Sequence, residues 1–348
     1  MISWLTSVLA VVITLSVVIF THELGHFLVA LKSGIVVETF SLGFGPELIG
    51  FSRKGVRYKI SAVPLGGYVK MKGENPDQEG AADEDAFMGQ PPLKRIGVLV
   101  AGPGMNFITG IVIFTLIIYF TGMPVITDEP VIGRVKDGTP AAEAGFSAGD
   151  RILSVDGRRP QTWNELAELI NEKGSEGPIN FKLERDGRIK NITVQARYNE
   201  EAGRHMVGIS APIEMKKAGP LKSIVEGVKY TVFISIHLAE ALWLMITGQL
   251  EAAISGPVGI AKIVSETASR GAVPFLQLLA FISVNLGFLN LLPVPILDGG
   301  HVVIALIEKF KGSPVDPEKV NIANILGFSL LIALMLFVTY KDIIGLFF

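Results

Sequence analysis

His22-Glu23-Leu24-Gly25-His26 lies inside a run from Trp4 to Ala30 in which Glu23 is the sole acidic or basic residue apart from the histidines. At ~1.5 Å per helical residue this run is long enough to cross a bilayer, so a metal-type motif sits within a membrane helix. On a helix His22 and His26 stand one turn apart on one face and can share one zinc ion. Glu23 is then beside the metal, placed to take a proton from a water in the open coordination position. That is the chemistry of peptide-bond hydrolysis. A chance match is expected in on the order of one chain in a hundred of this size, and it would usually fall on a solvated helix. Here each ionisable group costs ~2.5–3.5 kcal/mol in hydrocarbon unless paired or ligated, which favours the functional reading.

A catalytic zinc needs a third protein ligand, with the fourth position left for water. The chain has no cysteine, which excludes disulfides and thiolate ligands and leaves histidine and carboxylate. The best placed acid is Asp298, in Asn290-Leu291-Leu292-Pro293-Val294-Pro295-Ile296-Leu297-Asp298-Gly299-Gly300, at the end of a charge-free run from Ala272 to Leu297. Asp-Gly is also an ordinary turn signal, so a loop aspartate capping the next helix is the rival reading.

These two motifs together resemble those of the site-2 protease family of intramembrane zinc metalloproteases, and most closely its bacterial branch with a PDZ domain that cleaves anti-sigma factors. Gly43-Phe44-Gly45-Pro46, Ala101-Gly102-Pro103-Gly104-Met105-Asn106-Phe107 and Gly256-Pro257-Val258-Gly259-Ile260 extend the likeness, in family order, over nearly the whole chain. The resemblance implies zinc held by His22, His26 and Asp298, with Glu23 as catalytic base. It implies substrate contact at Asn285, Asn290, Gly43 and Gly45, although as amides in a charge-free span Asn285 and Asn290 could instead make helix-to-helix hydrogen bonds. The expected substrates are single-span membrane proteins already trimmed outside the membrane, such as anti-sigma factors or remnant signal peptides. One PDZ-like module stands where some members have two.

Composition agrees with a membrane protein. Hydrophobic residues make up 49% and charged ones 18%, and a net charge of −2 gives no reason to expect nucleic acid. The N-terminus lacks a basic n-region and a small-residue cleavage site, so the first span is expected to be retained. The fold expected is an α-helical polytopic membrane protein with four transmembrane helices, a membrane-associated β-hairpin sheet and one inserted PDZ-like β-rich domain. Its parts are a first helix over 1–30, a cytoplasmic-side β segment and loop over 31–95, and a second helix over 96–122. A PDZ domain over 123–200 and a linker with an interfacial helix over 201–271 follow. The third helix covers 272–300, a cytoplasmic loop 301–320 and the fourth helix 321–342.

Within 31–95, Val36–Leu42, Glu47–Phe51, Val56–Ala62 and Gly67–Lys72 read as short strands. An exposed strand edge beside a membrane active site can pair with the backbone of an unwound substrate helix. The nine Lys and Arg of this segment place it on the cytoplasmic side, and residues 73–90 read as a mobile acidic loop. In the module, Val131–Val135, Arg151–Val155 and two segments about Arg185-Asp186-Gly187 read as strands, with helices at Ala141–Ala144 and Thr162–Glu172. The loose pattern across Gly138 to Gly157 resembles a PDZ domain of the permuted bacterial form. Such domains take a peptide C-terminus by strand addition, and a size filter that binds no peptide is the rival reading.

His22 and Asp298 meet only if the first span and the Asp298 span run the same way. The segment 221–250, interrupted by Glu226, Lys229, His237 and Glu240, therefore reads as interfacial. Pro293 and Pro295 break the helix before Asp298 and let the chain extend toward zinc. Asn106 reads as a helix-packing amide that the resemblance brings against the zinc helix, and His301 as either a neighbour of the site or a helix-start histidine. The location expected is the bacterial cytoplasmic membrane, with the PDZ domain outside. A zinc-binding PDZ scaffold without proteolysis, or a metal transporter, is the competing class; neither needs Glu23.

Overall fold

A computed structural model describes residues 4–75, 79–200, 202–250 and 256–347. Residues 1–3 of the first expected span, 76–78 of the expected loop and 251–255 of the expected linker lie outside that set. The chain divides into two compact units, Met1–Ile118 with Gly219–Phe348, and Tyr119–Ala218.

The first unit opens with α1 (Trp4–Lys32), the strands β1 (Val37–Arg53) and β2 (Val56–Met71), and α2 (Pro92–Thr121). In α1 the hydroxyls of Thr14 and Thr21 donate back to the carbonyls of Ala10 (2.8 Å) and Val17 (3.0 Å), so neither is left unpaired among apolar side chains. The four short strands expected over 36–72 merge into β1 and β2. The first half of β1 pairs with the end of β2 (Phe40↔Val69, Leu42↔Gly67) and also with its start (Phe40↔Tyr58, Leu42↔Ile60), while the tips pair with each other (Arg53↔Val56). The bend that permits this falls at Gly43 and Gly45, at φ +90° and +86°, a left-handed region that disfavours side chains with a Cβ. Phe27, Phe40, Val56, Val69 and Val98 form the core between α1, the strands and α2.

The second unit contains β3 (Met123–Ile126), β4 (Arg134–Val135), α3 (Pro140–Glu143), β5 (Arg151–Val155), α4 (Trp163–Gly174), β6 (Pro178–Arg185), β7 (Arg188–Gln195), β8 (Arg197–Asn199), β9 (Arg204–Met206), β10 (Ile209–Ser210) and β11 (Ile213–Lys216). Sheet β5-β6-β7 and helix α4 enclose Ile152, Val155, Leu166, Ile179, Phe181 and Leu183, and each such side chain contributes ~1.5–3 kcal/mol on burial. The unit runs past the expected end at 200 because β9, β10 and β11 return to pair with β8, β4 and β3. Those strands are too short to show an alternating pattern in sequence.

The first unit resumes with α5 (Pro220–Ile246), α6 (Pro257–Ser269), α7 (Ala272–Asn290), α8 (Asp298–Lys311) and α9 (Pro317–Phe347). Among the described residues five helices, α1, α2, α5, α7 and α9, are long and apolar enough to cross a membrane, one more than expected. The addition is α5. It packs along α2 and α7 through Gly227 beside Ile111 and Thr115, Tyr230 against Phe114 (5.0 Å), and Ile234 with Ala280 and Val284. Its interrupting charges are partly satisfied within the helix: Lys229 pairs with Glu226 at 2.9 Å, and His237 Nδ1 lies 3.0 Å from the Phe233 carbonyl.

Candidate metal centre

Three backbone devices assemble the centre. Gly25 of α1 faces the Ala101 carbonyl so closely that a Cβ there would overlap it, and a Cβ on Gly102 would fall on the His26 ring. Glycine at both positions thus lets α1 and α2 touch and leaves room for the imidazole. On α7, Gly287 approaches the Pro103 carbonyl and the Asn106 Cβ, and the Ser283 hydroxyl donates to the Asn106 carbonyl at 3.0 Å. The third device is the break between α7 and α8. Ile296 sits there at φ +79°, a strained conformation for a β-branched residue worth ~1–3 kcal/mol. Side chains at Gly299 and Gly300 would collide with the carbonyls of Leu291, Leu292 and Val294, so this tight fold-back needs the Gly-Gly pair. Asp298 is the first residue of α8, where the helix dipole favours a carboxylate.

The result is a triangle of donors. His22 Nε2 and His26 Nε2 are 3.1 Å apart, and Asp298 Oδ2 lies 3.2 Å from the first and 3.5 Å from the second. Ligand atoms at 2.0–2.2 Å from a tetrahedral zinc stand ~3.3–3.6 Å apart, close to these distances. Asp298 Oδ2 is buried and accepts no well-formed hydrogen bond, an orphaned acceptor that a cation would satisfy. The donor set fits zinc.

The neighbours prepare the rings. His26 Nδ1 is 2.8 Å from the Val98 carbonyl, an acceptor only, so the ring proton is on Nδ1 and Nε2 is bare. The Asn106 amide, fully buried, has its nitrogen 3.2 Å from His22 Nδ1 and its oxygen 3.3 Å from the Thr21 hydroxyl. An amide can present either end. With its oxygen toward the ring, Asn106 accepts from Nδ1–H, its nitrogen donates to Thr21, and the Thr21 hydroxyl donates onward to Val17. Glu23 Oε2 accepts from the Val69 N–H of β2 at 3.0 Å.

All four residues line a cavity of about 600 Å³ with Tyr68, Arg95, His301 and Glu308 on its walls. Arg95 Nη1 donates to Glu308 at 2.6 Å, and Glu308 also accepts from the Val315 N–H, which ties α2 to α8 and to the turn after it. Asn285, Asn290, Gly43 and Gly45 are not among the lining residues. Sequence reasoning missed the Arg95–Glu308 pair, which spans 213 positions and leaves no local pattern, and the Val98 and Val69 backbone groups, which no side chain announces.

The family model for peptidase family M50 matches residues 10–334. The chain belongs to peptidase family M50, the site-2 protease family. A Clostridium acetobutylicum protein is 34% identical over 343 residues and covers 97% of both chains. The zinc metalloprotease RasP of Geobacillus kaustophilus is 30% identical, covering 99% of both. The regulator of sigma-W protease RasP of Bacillus subtilis is 28% identical, covering 99% of this chain and all of its own. Among solved structures, the PDZ domain of an SdrC-like protein from Listeria monocytogenes matches 26% of this chain and 93% of its own, at 22% identity and a TM-score of 0.22. This M50 chain is accordingly a zinc metalloprotease of the site-2 type and a multi-pass membrane protein.

Proposed function

We propose that the chain hydrolyses peptide bonds inside transmembrane segments of pre-trimmed single-span proteins, anti-sigma factors and remnant signal peptides among them. Its place is the bacterial cytoplasmic membrane, with residues 31–95 on the cytoplasmic side and the second unit outside. The observation that carries the reading is the donor triangle of His22, His26 and Asp298 with Glu23 alongside in a polar cavity.

His22, His26 and Asp298 hold the zinc, which when bound supplies a Lewis acid for the scissile carbonyl and acidifies water. Val98 and Asn106 keep each Nε2 unprotonated. Glu23, steadied by Val69 on one oxygen, takes the proton from the attacking water and hands it to the leaving amine. An exposed strand edge of the β1–β2 hairpin supplies backbone pairing for an unwound substrate. Asn285 and Asn290 of α7, with Gly43 and Gly45 at the bend of β1, contact the substrate segment as it reaches the cavity. We read the second unit as a PDZ module whose apolar groove, between Trp163, Leu166 and Ile170 of α4 and the stretch Met206 to Ile209, takes an extended peptide end.

The test is cleavage of a tagged single-span substrate by purified protein and by Glu23→Gln, with zinc measured on both. Loss of a general base is expected to slow cleavage by ~10²–10⁴-fold with zinc retained. Equal cleavage by a zinc-loaded Glu23→Gln protein removes Glu23 as the base, and no cleavage by either zinc-loaded protein overturns the reading and leaves the non-proteolytic scaffold.

A further inference from the structure

The ribbon formed by β3 and β11 carries an apolar face with no partner among the described residues. In its register Ile126 faces Ile213 and Pro124 faces Met215. Residues directly opposite in an antiparallel pair share a face, so these four form one surface. All four are exposed, Ile126 by 67% and Ile213 by 66%. The other face holds Met123, Val125, Glu214 and Lys216. A two-stranded ribbon is marginal in water, and two opposed isoleucines this exposed form a patch that needs a cover.

Continuity with the membrane identifies the cover. From Ile96 to Thr127 the chain carries no charged residue, so the apolar run of α2 continues through all of β3 and stops at Asp128. Met123 is two residues past Thr121, the last residue of α2. At no more than ~3.6 Å per residue it stays within ~7 Å of that helix end, about the depth of one headgroup layer. Strand β11 leads after three residues into α5, another helix of membrane-crossing length. Tyr119, exposed at the end of α2, is a side chain that favours the membrane interface. Lys216, Lys217 and Lys222, also exposed, flank the ribbon with cations that complement lipid phosphates.

We propose that the β3–β11 ribbon is a lipid-contacting foot that lies in the headgroup layer with Pro124, Ile126, Ile213 and Met215 turned to the acyl chains and the three lysines on phosphate. The partner is the bilayer surface itself.

The absence of cysteine makes the test direct. Single-cysteine variants Ile126→Cys, Ile213→Cys and Glu214→Cys of the full chain are reconstituted in nanodiscs containing phosphatidylglycerol. One portion of each is reacted with a membrane-impermeant maleimide, and a separate portion is labelled with a polarity-sensitive dye in the presence of lipids brominated near the headgroup. Positions 126 and 213 are expected to react about tenfold more slowly than 214, since full burial of an isoleucine is worth at least one decade, and their dye emission is quenched by the brominated lipid. An unchanged thermal transition certifies each variant, and because the two isoleucines lie on different strands, either one carries the test. Equal reactivity at all three positions overturns the proposal. So does protection without bromine quenching that fades on dilution, which assigns the face to a second copy or another protein.

Discussion

At the residue scale, the centre depends on which nitrogen of each imidazole is bare; α2 decides that for His26 through the Val98 carbonyl, and for His22 when the Asn106 amide turns its oxygen to the ring. Asn106 is therefore more than a packing amide. Replacing it by leucine, close in size but unable to accept, is expected to weaken zinc binding ~10–100-fold in competition with a chelator, while Asn106→Asp, which keeps an acceptor, retains it. Equal affinity in both variants removes Asn106 from the ring-orienting role. The motif of His22, Glu23 and His26 was legible because its spacing is fixed by one helix, and Asp298 because an acid closing a charge-free run stands out. The supports were not. Val98 and Val69 act through backbone groups, and only the packing of α2 and β2 against α1 brings those groups to the ring and the carboxylate.

At the scale of elements, the glycines of α2 offer a sharp contrast. A Cβ at Gly102 meets the His26 ring, whereas at Gly104 nothing lies within 4 Å. Gly102→Ala is expected to lose bound zinc, measured by metal analysis of the purified protein. Gly104→Ala is expected to keep its zinc and gain ~0.5–1 kcal/mol of helix stability. Full zinc in Gly102→Ala would show that α1 and α2 can separate at no expense to the site. Helix α5 shows where element reading from sequence stopped. From sequence it reads as interfacial because an extra crossing would turn Asp298 to the wrong face, yet its length and hydropathy are also those of a span, Glu226 and Lys229 neutralise each other, and Gly227 lets α5 close on α2. A pairing three residues apart lowers the charge burden of a helix without changing its composition.

At the scale of the whole chain, the two units have separate cores, and a defect in one can be read apart from the other. Asp150 is fully buried and held by both Nε and Nη2 of Arg185 (2.6 and 2.7 Å) and by the Ser147 N–H (2.9 Å). Burial pushes its carboxyl up, but these bonds outweigh burial and keep it below the ordinary carboxylate range. A carboxyl with a depressed folded pKa stabilises fully above its unfolded value and loses that contribution as pH falls through the folded one. The thermal transition of the second unit is thus expected to drop below pH ~4. Asp150→Asn is expected to lose ~1–3 kcal/mol, about 4–8 °C per kcal/mol for a unit of this size, and to flatten the acid dependence while zinc content stays unchanged. Calorimetry with metal analysis checks all three, and a simultaneous loss of zinc would mean that the units do not melt independently. The architecture of a membrane enzyme with an inserted β-rich module was legible from hydropathy and turn residues. The module's last strands were not, since three-residue pairings are fixed by distant partners rather than by local pattern.

The bond from Val69 to Glu23 has a mechanical meaning. One oxygen of Glu23 is tethered to a strand, and that strand belongs to a bent hairpin. The reach of the proton acceptor is therefore a coordinate of the hairpin as much as of the helix that carries it. A hydrogen bond at 3.0 Å is lost when stretched by about an ångström, so the position of the Glu23 carboxylate is set to that tolerance by the strand as well as by its own helix.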